Sequence, residues 1–304
     1  AAGSDGDRGI GRSAWGSTEG LRRRPVGETT VVLPSGAAMP VLGQGTWGMG
    51  EDRRRAKDEA AALAAGLDLG LTLIDTAEMY GEGGAEEVTG QAIRGRRDGV
   101  FLVSKVYPHN AGFAAAIAAC ERSLRRLGTD RIDLYLLHWQ GRTPYAETIE
   151  AFERLREDGK VVDWGVSNFD LDDLETWAGE AGGGRTATDQ VCYSLSARGI
   201  EWDLLPWCQE RGLPVMAYSP LGQGRLLGNA VLGGIARRHG VAPATVALAW
   251  LLTRQGVVAI PKSSRVERLR DHRAALDLAL DEADLAALDQ AFPPPRRKTP
   301  LAIL

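Results

Sequence analysis

Cysteine is scarce: there are three in 304 residues, at 120, 192 and 208. They are widely spaced, odd in number and set in apolar runs, which excludes a disulfide framework and a CxxC metal site and reads as buried thiols in a reducing compartment. Long hydrophobic runs are missing as well. No stretch approaches about 18 uninterrupted apolar residues and no apolar signal core stands near residue 1, so neither a membrane span nor secretion is expected, and the cytoplasm is the expected location. An excess of positive charge is also absent, with 36 Lys and Arg against 40 Asp and Glu and a net charge of −4. That leaves no basic footprint for nucleic acid or an anionic membrane. Residues 1–29 have few apolar side chains among glycines and charges, too few to offset the entropy of ordering, and are expected to form a mobile tail.

What is present is the composition of a soluble globular protein, 44% hydrophobic and 25% charged. Longer amphipathic runs alternate with short apolar ones, and glycine marks the handover at Gly70, Gly99, Gly128, Gly159, Gly212 and Gly256. Glycine past a helix end takes the left-handed conformation without a Cβ clash, and a strand-like run follows each time, as in "LTLID", "VFLVSKV" and "VVAIPK". Eight strand candidates end near 47, 75, 105, 138, 168, 190, 218 and 262, at separations of 28, 30, 33, 30, 22, 28 and 44 residues. This pace of strand plus crossover helix, repeated to eight, predicts an α/β protein built as a (β/α)8 TIM barrel, a single domain over 30–304. Two short apolar runs around Pro34, Ser35 and Gly36 predict a β-hairpin that plugs the N-terminal end of the barrel, and two extra helices are predicted after the eighth strand.

Gly43, Gly45 and Gly48 fall at G-x-G-x-x-G spacing, the mark of a Rossmann dinucleotide site. Their context fails that reading: Pro40 interrupts the approaching strand, and no helix opens at the third glycine. Gly45, Thr46 and Trp47 instead end the first barrel strand. Barrel active sites lie at the C-terminal ends of strands. There the sequence sets Trp47, Asp75, Lys105, His138, Ser167 with Asn168, Gln190, Tyr218 and Lys262, with Tyr80 five residues after Asp75. Taken singly, Asp75 reads as a helix cap, Tyr80 as a packing residue and His138 as a bonded core histidine. Lys105 is different, because an ammonium inside "VFLVSKV" requires a nearby anion, and Asp75 one strand away is the obvious supplier. A lysine beside a tyrosine favours the phenolate and is expected to lower the phenol's pKa towards a useful proton-donor range. No Ser or Cys nucleophile is paired with the histidine and no metal-ligand spacing occurs, so hydrolysis is disfavoured and no metal is expected. The set suits protonation of a carbonyl oxygen while hydride reaches the carbon.

The motifs "LTLIDTAEMYG", "LVSKV", "IDLYLLHW", "GVSNF", "AYSPLG" and "IPKSSRVERLR" resemble those of the aldo-keto reductase superfamily over residues 30 to 300. The wording of "GQGTWGMGED", "AEMYGEGGAEEV", "SKVYPHNAG" and "WDLLPWC" is similar to its bacterial methylglyoxal-reductase type. The resemblance implies Tyr80 as general acid, Lys105 and Asp75 as its tuning pair and His138 as the group that orients the carbonyl. It implies a cofactor site of Gly45, Thr46, Trp47, Asp75, Ser167, Asn168, Gln190, Tyr218, Ser219, Pro220, Leu221, Lys262, Ser263 and Arg268. In it Ser167, Asn168 and Gln190 hold the nicotinamide carboxamide, and Tyr218 stacks on the ring. Lys262, Ser263 and Arg268 suit a 2′-phosphate, hence NADPH (NADP+), although on spacing alone the same run reads equally as a solvated helix start. Asp271 and His272 stand where relatives often carry Glu and Asn against the adenine.

Trp47, Tyr80, His138 and Trp139 are expected to line the substrate pocket, joined by Tyr107. With seven residues from His138 to Tyr145 and a short tail after Phe292, the walls are expected to be low and the pocket open to small aldehydes, dicarbonyls such as methylglyoxal and some ketones. A monomer or weak oligomer is expected, acting on a small carbonyl compound. The alternative implied by the same superfamily is a cofactor-sensing regulatory subunit with little turnover.

Overall fold

The computed structural model describes residues 20–304. It opens on an antiparallel hairpin of β1 (Thr30–Val32) and β2 (Ala38–Pro40). Val31, Leu33 and Met39 from this hairpin are buried in the main core, and the Ser35 backbone N–H donates to Asp163 Oδ1 at 3.2 Å, seating it on the barrel as the sequence predicted.

Eight parallel strands follow in sequence order: β3 (Gly43–Gly45), β4 (Leu73–Asp75), β5 (Phe101–Val106), β6 (Ile132–Leu137), β7 (Val161–Ser167), β8 (Asp189–Cys192), β9 (Val215–Tyr218) and β10 (Val257–Ala259). Parallel bridges Leu42 to Ala259 and Gly45 to Lys262 join the two edges, and the Gly45 N–H donates to Pro261 O at 2.9 Å. The seam needs a glycine, since a Cβ on Gly45 would lie 2.9 Å from the Ile260 carbonyl oxygen. The predicted barrel is therefore the observed one.

Around it run α1 (Ala56–Asp68), α2 (Gly84–Ala92), α3 (Phe113–Leu127), α4 (Tyr145–Glu157), α5 (Leu171–Gly179), α6 (Leu204–Glu210), α7 (Ala230–His239), α8 (Pro243–Leu252), α9 (Val266–Arg273) and α10 (Glu282–Ala291). Helix α3 shows why they form: Ala116, Ala119, Cys120, Leu124 and Leu127 recur at three and four residues and are buried, charges occupy the other face, and Gly128 closes the helix at φ 64°. Helix α8 is buried at every position from Thr245 to Leu252 because it is sandwiched between β10, α7 and α9. The long interval between β9 and β10 holds both α7 and α8, so this crossover carries one helix more than its neighbours.

Of the expected tail, residues 1–19 lie outside the described residues. Residues 20–29 depart from the expectation of mobility. Leu21 packs on the core, Arg22 N donates to Gln209 Oε1 at 2.9 Å, and Arg24 donates from N to Thr253 O at 2.8 Å and from Nε to Leu252 O at 2.9 Å. The orphan carbonyls at the end of α8 bind this stretch through its polar groups, a means of attachment that a count of apolar residues overlooks. The expected helix after β10 is also shorter than its pattern. It stops at Arg273 and a 3-10 turn covers Ala274–Leu276. Among the described residues no helix is long and apolar enough to cross a membrane.

Candidate active site

Strand alternation sets the site. Along β5, Ser104 points outward and donates to Glu86 Oε1 at 2.6 Å, so Lys105 next to it points into the barrel. Asp75 at the end of β4 faces the same interior. Lys105 is fully buried and its Nζ donates to Asp75 Oδ1 at 2.6 Å, to Thr76 O at 2.9 Å and to Tyr80 Oη at 3.3 Å. Burial pulls the lysine's pKa down, but Asp75 and Tyr80 overcome it and hold it above its ordinary value. The anion that the sequence demanded for Lys105 is the expected one.

Tyr80 enters this network from a tight turn, Tyr80–Gly83, in which Gly81 (φ 59°) and Glu82 (φ 52°) are both left-handed. The loop after β3 presses against that turn, and a Cβ on Gly50 would lie 2.1 Å from the Gly84 carbonyl carbon. Backbone therefore meets backbone, which fixes where Tyr80 starts. Its pKa is raised, not lowered as expected: burial is the largest cause, Lys105 pulls the other way, and Asp75 adds to the rise. The phenol is held protonated beside the ammonium that stabilises its phenolate.

His138 stands edge-on to Tyr80, with ring centroids 5.7 Å apart at 76°. Burial, helped by the Lys105 charge, pushes its pKa down to about 2, so the imidazole is neutral. Its Nδ1 is buried without a partner among the described residues. Tyr80, His138 and Asp75 open into a cavity of about 1190 Å³, larger than the roughly 300–1,000 Å³ of pockets for drug-sized ligands. At its mouth stand Trp47 and Trp139, 60% and 36% exposed. Tyr107 leans on Trp139 at 6.0 Å but does not line the cavity, against expectation.

Ser167, Asn168 and Gln190, the residues expected to hold a carboxamide, are brought together, though much of their hydrogen-bonding capacity is already used. Ser167 Oγ donates to Gln190 O at 2.8 Å. Asn168, held at φ 60°, gives its two amide protons to His138 O (3.1 Å) and Ser167 Oγ (3.3 Å) and accepts from Tyr218 Oη at 2.8 Å. Gln190 Nε2 donates to Asp75 Oδ2 at 2.8 Å. Its Oε1 has no donor among the described residues and remains free for an amide N–H. Gln190, Asp75, Lys105 and Tyr80 thus form one buried chain from the end of β8 to the phenol. Thr46 Oγ1 donates to Asp75 O at 3.0 Å and fixes the strand end from below.

Gly45, Ser219, Pro220, Leu221, Lys262 and Arg268 all line the same cavity. Lys262 and Arg268 are exposed cations without an ion-pair partner among the described residues, open to an anionic group. Ser263 is not with them: it is 6% exposed and accepts from the Arg265 N–H at 3.1 Å, a turn that starts α9. Asp271 and His272 line the far end, with His272 buried, its Nδ1 without a partner among the described residues and its pKa pushed down to about 4 by burial and then by Arg268. Unpaired cations, a free amide acceptor, an aromatic face and a seam that admits only glycine at 45 fit a nicotinamide dinucleotide with a phosphate at one end.

Two parts of the lining escaped sequence reasoning. The turn Gly222–Gly228 brings Gln223, Gly224 and Arg225 over the cavity, and three glycines in "GQGRLLG" were the available signal. Ile303 and Leu304 line it too, so the wall that was expected to be low is raised by the tail. The apolar run "PLAIL" marked it.

The aldo/keto reductase family profile matches residues 41–292. The chain is 55% identical to methylglyoxal reductase YeaE of Escherichia coli (strain K12) over 269 residues, covering 87% of this chain and 95% of that one. It is 35% identical to the glyoxal reductase of Bacillus subtilis (strain 168) over 263 residues, 86% of this chain and 91% of the relative. An aldo/keto reductase from Klebsiella pneumoniae, solved with NADP and acetate, superposes with a TM-score of 0.89 at 52% identity, over 91% of this chain and all of that one.

Proposed function

Because the chain belongs to the aldo/keto reductase family, we propose that it uses NADPH to reduce small aldehydes and dicarbonyls of the methylglyoxal type to alcohols, with Tyr80 as the proton donor. The observation that carries this reading is the buried chain Gln190–Asp75–Lys105–Tyr80, which opens into the cavity beside a neutral His138. Bound NADPH supplies hydride to the carbonyl carbon. Tyr80 gives its hydroxyl proton to the carbonyl oxygen, and the phenolate left behind is stabilised by the Lys105 ammonium 3.3 Å away. Asp75 and Thr76 O hold that ammonium in place, so little reorganisation is needed as the charge develops. The imidazole of His138 offers an uncharged N–H donor that fixes the oxygen against the phenol. A neutral donor there does not compete with Tyr80 as the acid.

Lys262 and Arg268 would hold the 2′-phosphate, Gln190 Oε1 the carboxamide and Tyr218 the nicotinamide face. The names of the Escherichia coli and Bacillus subtilis relatives support a dicarbonyl substrate, and the Klebsiella pneumoniae complex supports NADP. The test is initial-rate oxidation of NADPH and of NADH with methylglyoxal, a nitrobenzaldehyde and a bulky ketone. Methylglyoxal with NADPH is expected to give the highest kcat/KM. No NADPH consumption with any of the three refutes the reading.

A further inference from the structure

Residues 293–304 cross the molecule as a strap without regular secondary structure. It is fastened at three places. At its start Arg198 Nη1 donates to Phe292 O at 2.6 Å. In its middle Lys298 Nζ donates to Asp170 Oδ1 at 2.5 Å and to Asp203 Oδ1 at 2.8 Å. Further along, Leu301 packs on the core. The two aspartates are the N-caps of α5 and α6, each accepting the first backbone N–H of its helix at 2.8 Å. One ammonium therefore ties the strap to two rigid helix starts. Past this tie Ile303 and Leu304 enter the cavity lining with 66% and 61% of their surface exposed. Two apolar side chains left open at the edge of a catalytic cavity are a surface that a ligand can cover.

We propose that Lys298 is a positioning residue for substrate selection: its double ion pair holds Ile303 and Leu304 as an apolar wall that receives the chain of aldehydes longer than a dicarbonyl. The inference rests on the reductase reading of the same site. The two substrates that separate this role differ in length: methylglyoxal has three carbons, whereas octanal carries an unbranched eight-carbon chain that has a tail to lay on such a wall. The tie is partly exposed, with the side chains of Lys298, Asp170 and Asp203 at 40%, 27% and 16%, so salt weakens it.

The experiment measures KM and kcat for methylglyoxal and octanal in the wild type, Lys298→Met and Lys298→Arg, at low salt and at about 0.5 M salt, with NADPH affinity followed by fluorescence titration. Lys298→Met is expected to raise the octanal KM about tenfold, equivalent to 1.4 kcal/mol. Octanal kcat, methylglyoxal kcat/KM and NADPH affinity are expected to stay within about twofold, and Lys298→Arg to recover most of the loss, since it restores the charge. High salt should impose the Met behaviour on the wild type and add nothing to Lys298→Met. This arm needs no variant to fold. An octanal KM that does not move, or that moves equally for both aldehydes, overturns the proposal. A wild type that oxidises NADPH with neither aldehyde overturns the reductase reading instead.

Discussion

Lys105→Met keeps the stem of the side chain and removes the ammonium that ties Asp75 to Tyr80. Asp75, 2% exposed, then loses its partner at 2.6 Å and keeps the Gln190 donor at 2.8 Å. Stranding one member of a buried pair costs about 3–5 kcal/mol, and the surviving amide donor puts the expected loss near the lower end, about 3 kcal/mol. Removing both charges in Asp75→Asn/Lys105→Met leaves no ion stranded, so the double variant is expected to recover about 2 kcal/mol relative to the sum of the single losses. Urea denaturation at pH 7 measures all three, with unchanged slopes showing that the unfolded state has not altered. A loss under about 1 kcal/mol, or strict additivity, would refute the claim that the two charges hold each other in the interior.

Arg268→Ala is expected to weaken NADPH binding about 10- to 100-fold, the range of one lost charge-assisted hydrogen bond, while NADH changes little. Equal losses measured by fluorescence titration would remove Arg268 from the 2′-phosphate site. Acid stability depends on the two buried histidines. His138 and His272 have folded pKa values pushed down to about 2 and about 4, against about 6.5 when unfolded. The unfolded chain therefore binds more protons between those values, so the contribution is full above about pH 6.5 and falls by about 1.36 kcal/mol per pH unit per histidine as pH drops. His272→Asn should reduce the slope of unfolding free energy between pH 4.5 and 6 by that amount, and an unchanged slope would contradict its burial as a neutral ring.

The barrel was legible because helix, glycine and strand recur at nearly even spacing, and because several strands end in polar residues, among them Asp75, Ser167 and Tyr218. Lys105 was the most informative residue, since a charge in an apolar strand demands a partner and Asp75 was the one at hand. Contacts that join distant parts of the chain left no such trace. Lys298 meets aspartates 128 and 95 residues away, and no periodicity reports that. Arg24 was counted as a charge in a tail when it serves as a donor to the end of α8. Ser263 matched a phosphate motif, yet its hydroxyl is engaged by the Arg265 backbone. The direction of the Tyr80 shift was misjudged because proximity to Lys105 was weighed and burial was not.

Tyr80→Phe removes one oxygen atom and leaves Asp75, Lys105 and Gln190 bonded to one another. Single-turnover reduction of methylglyoxal by the NADPH-loaded variant is expected to fall by at least the roughly 10²–10⁴-fold of a lost general acid, with NADPH affinity nearly unchanged. Turnover within about tenfold of the wild type, at equal cofactor occupancy, would show that another group supplies the proton.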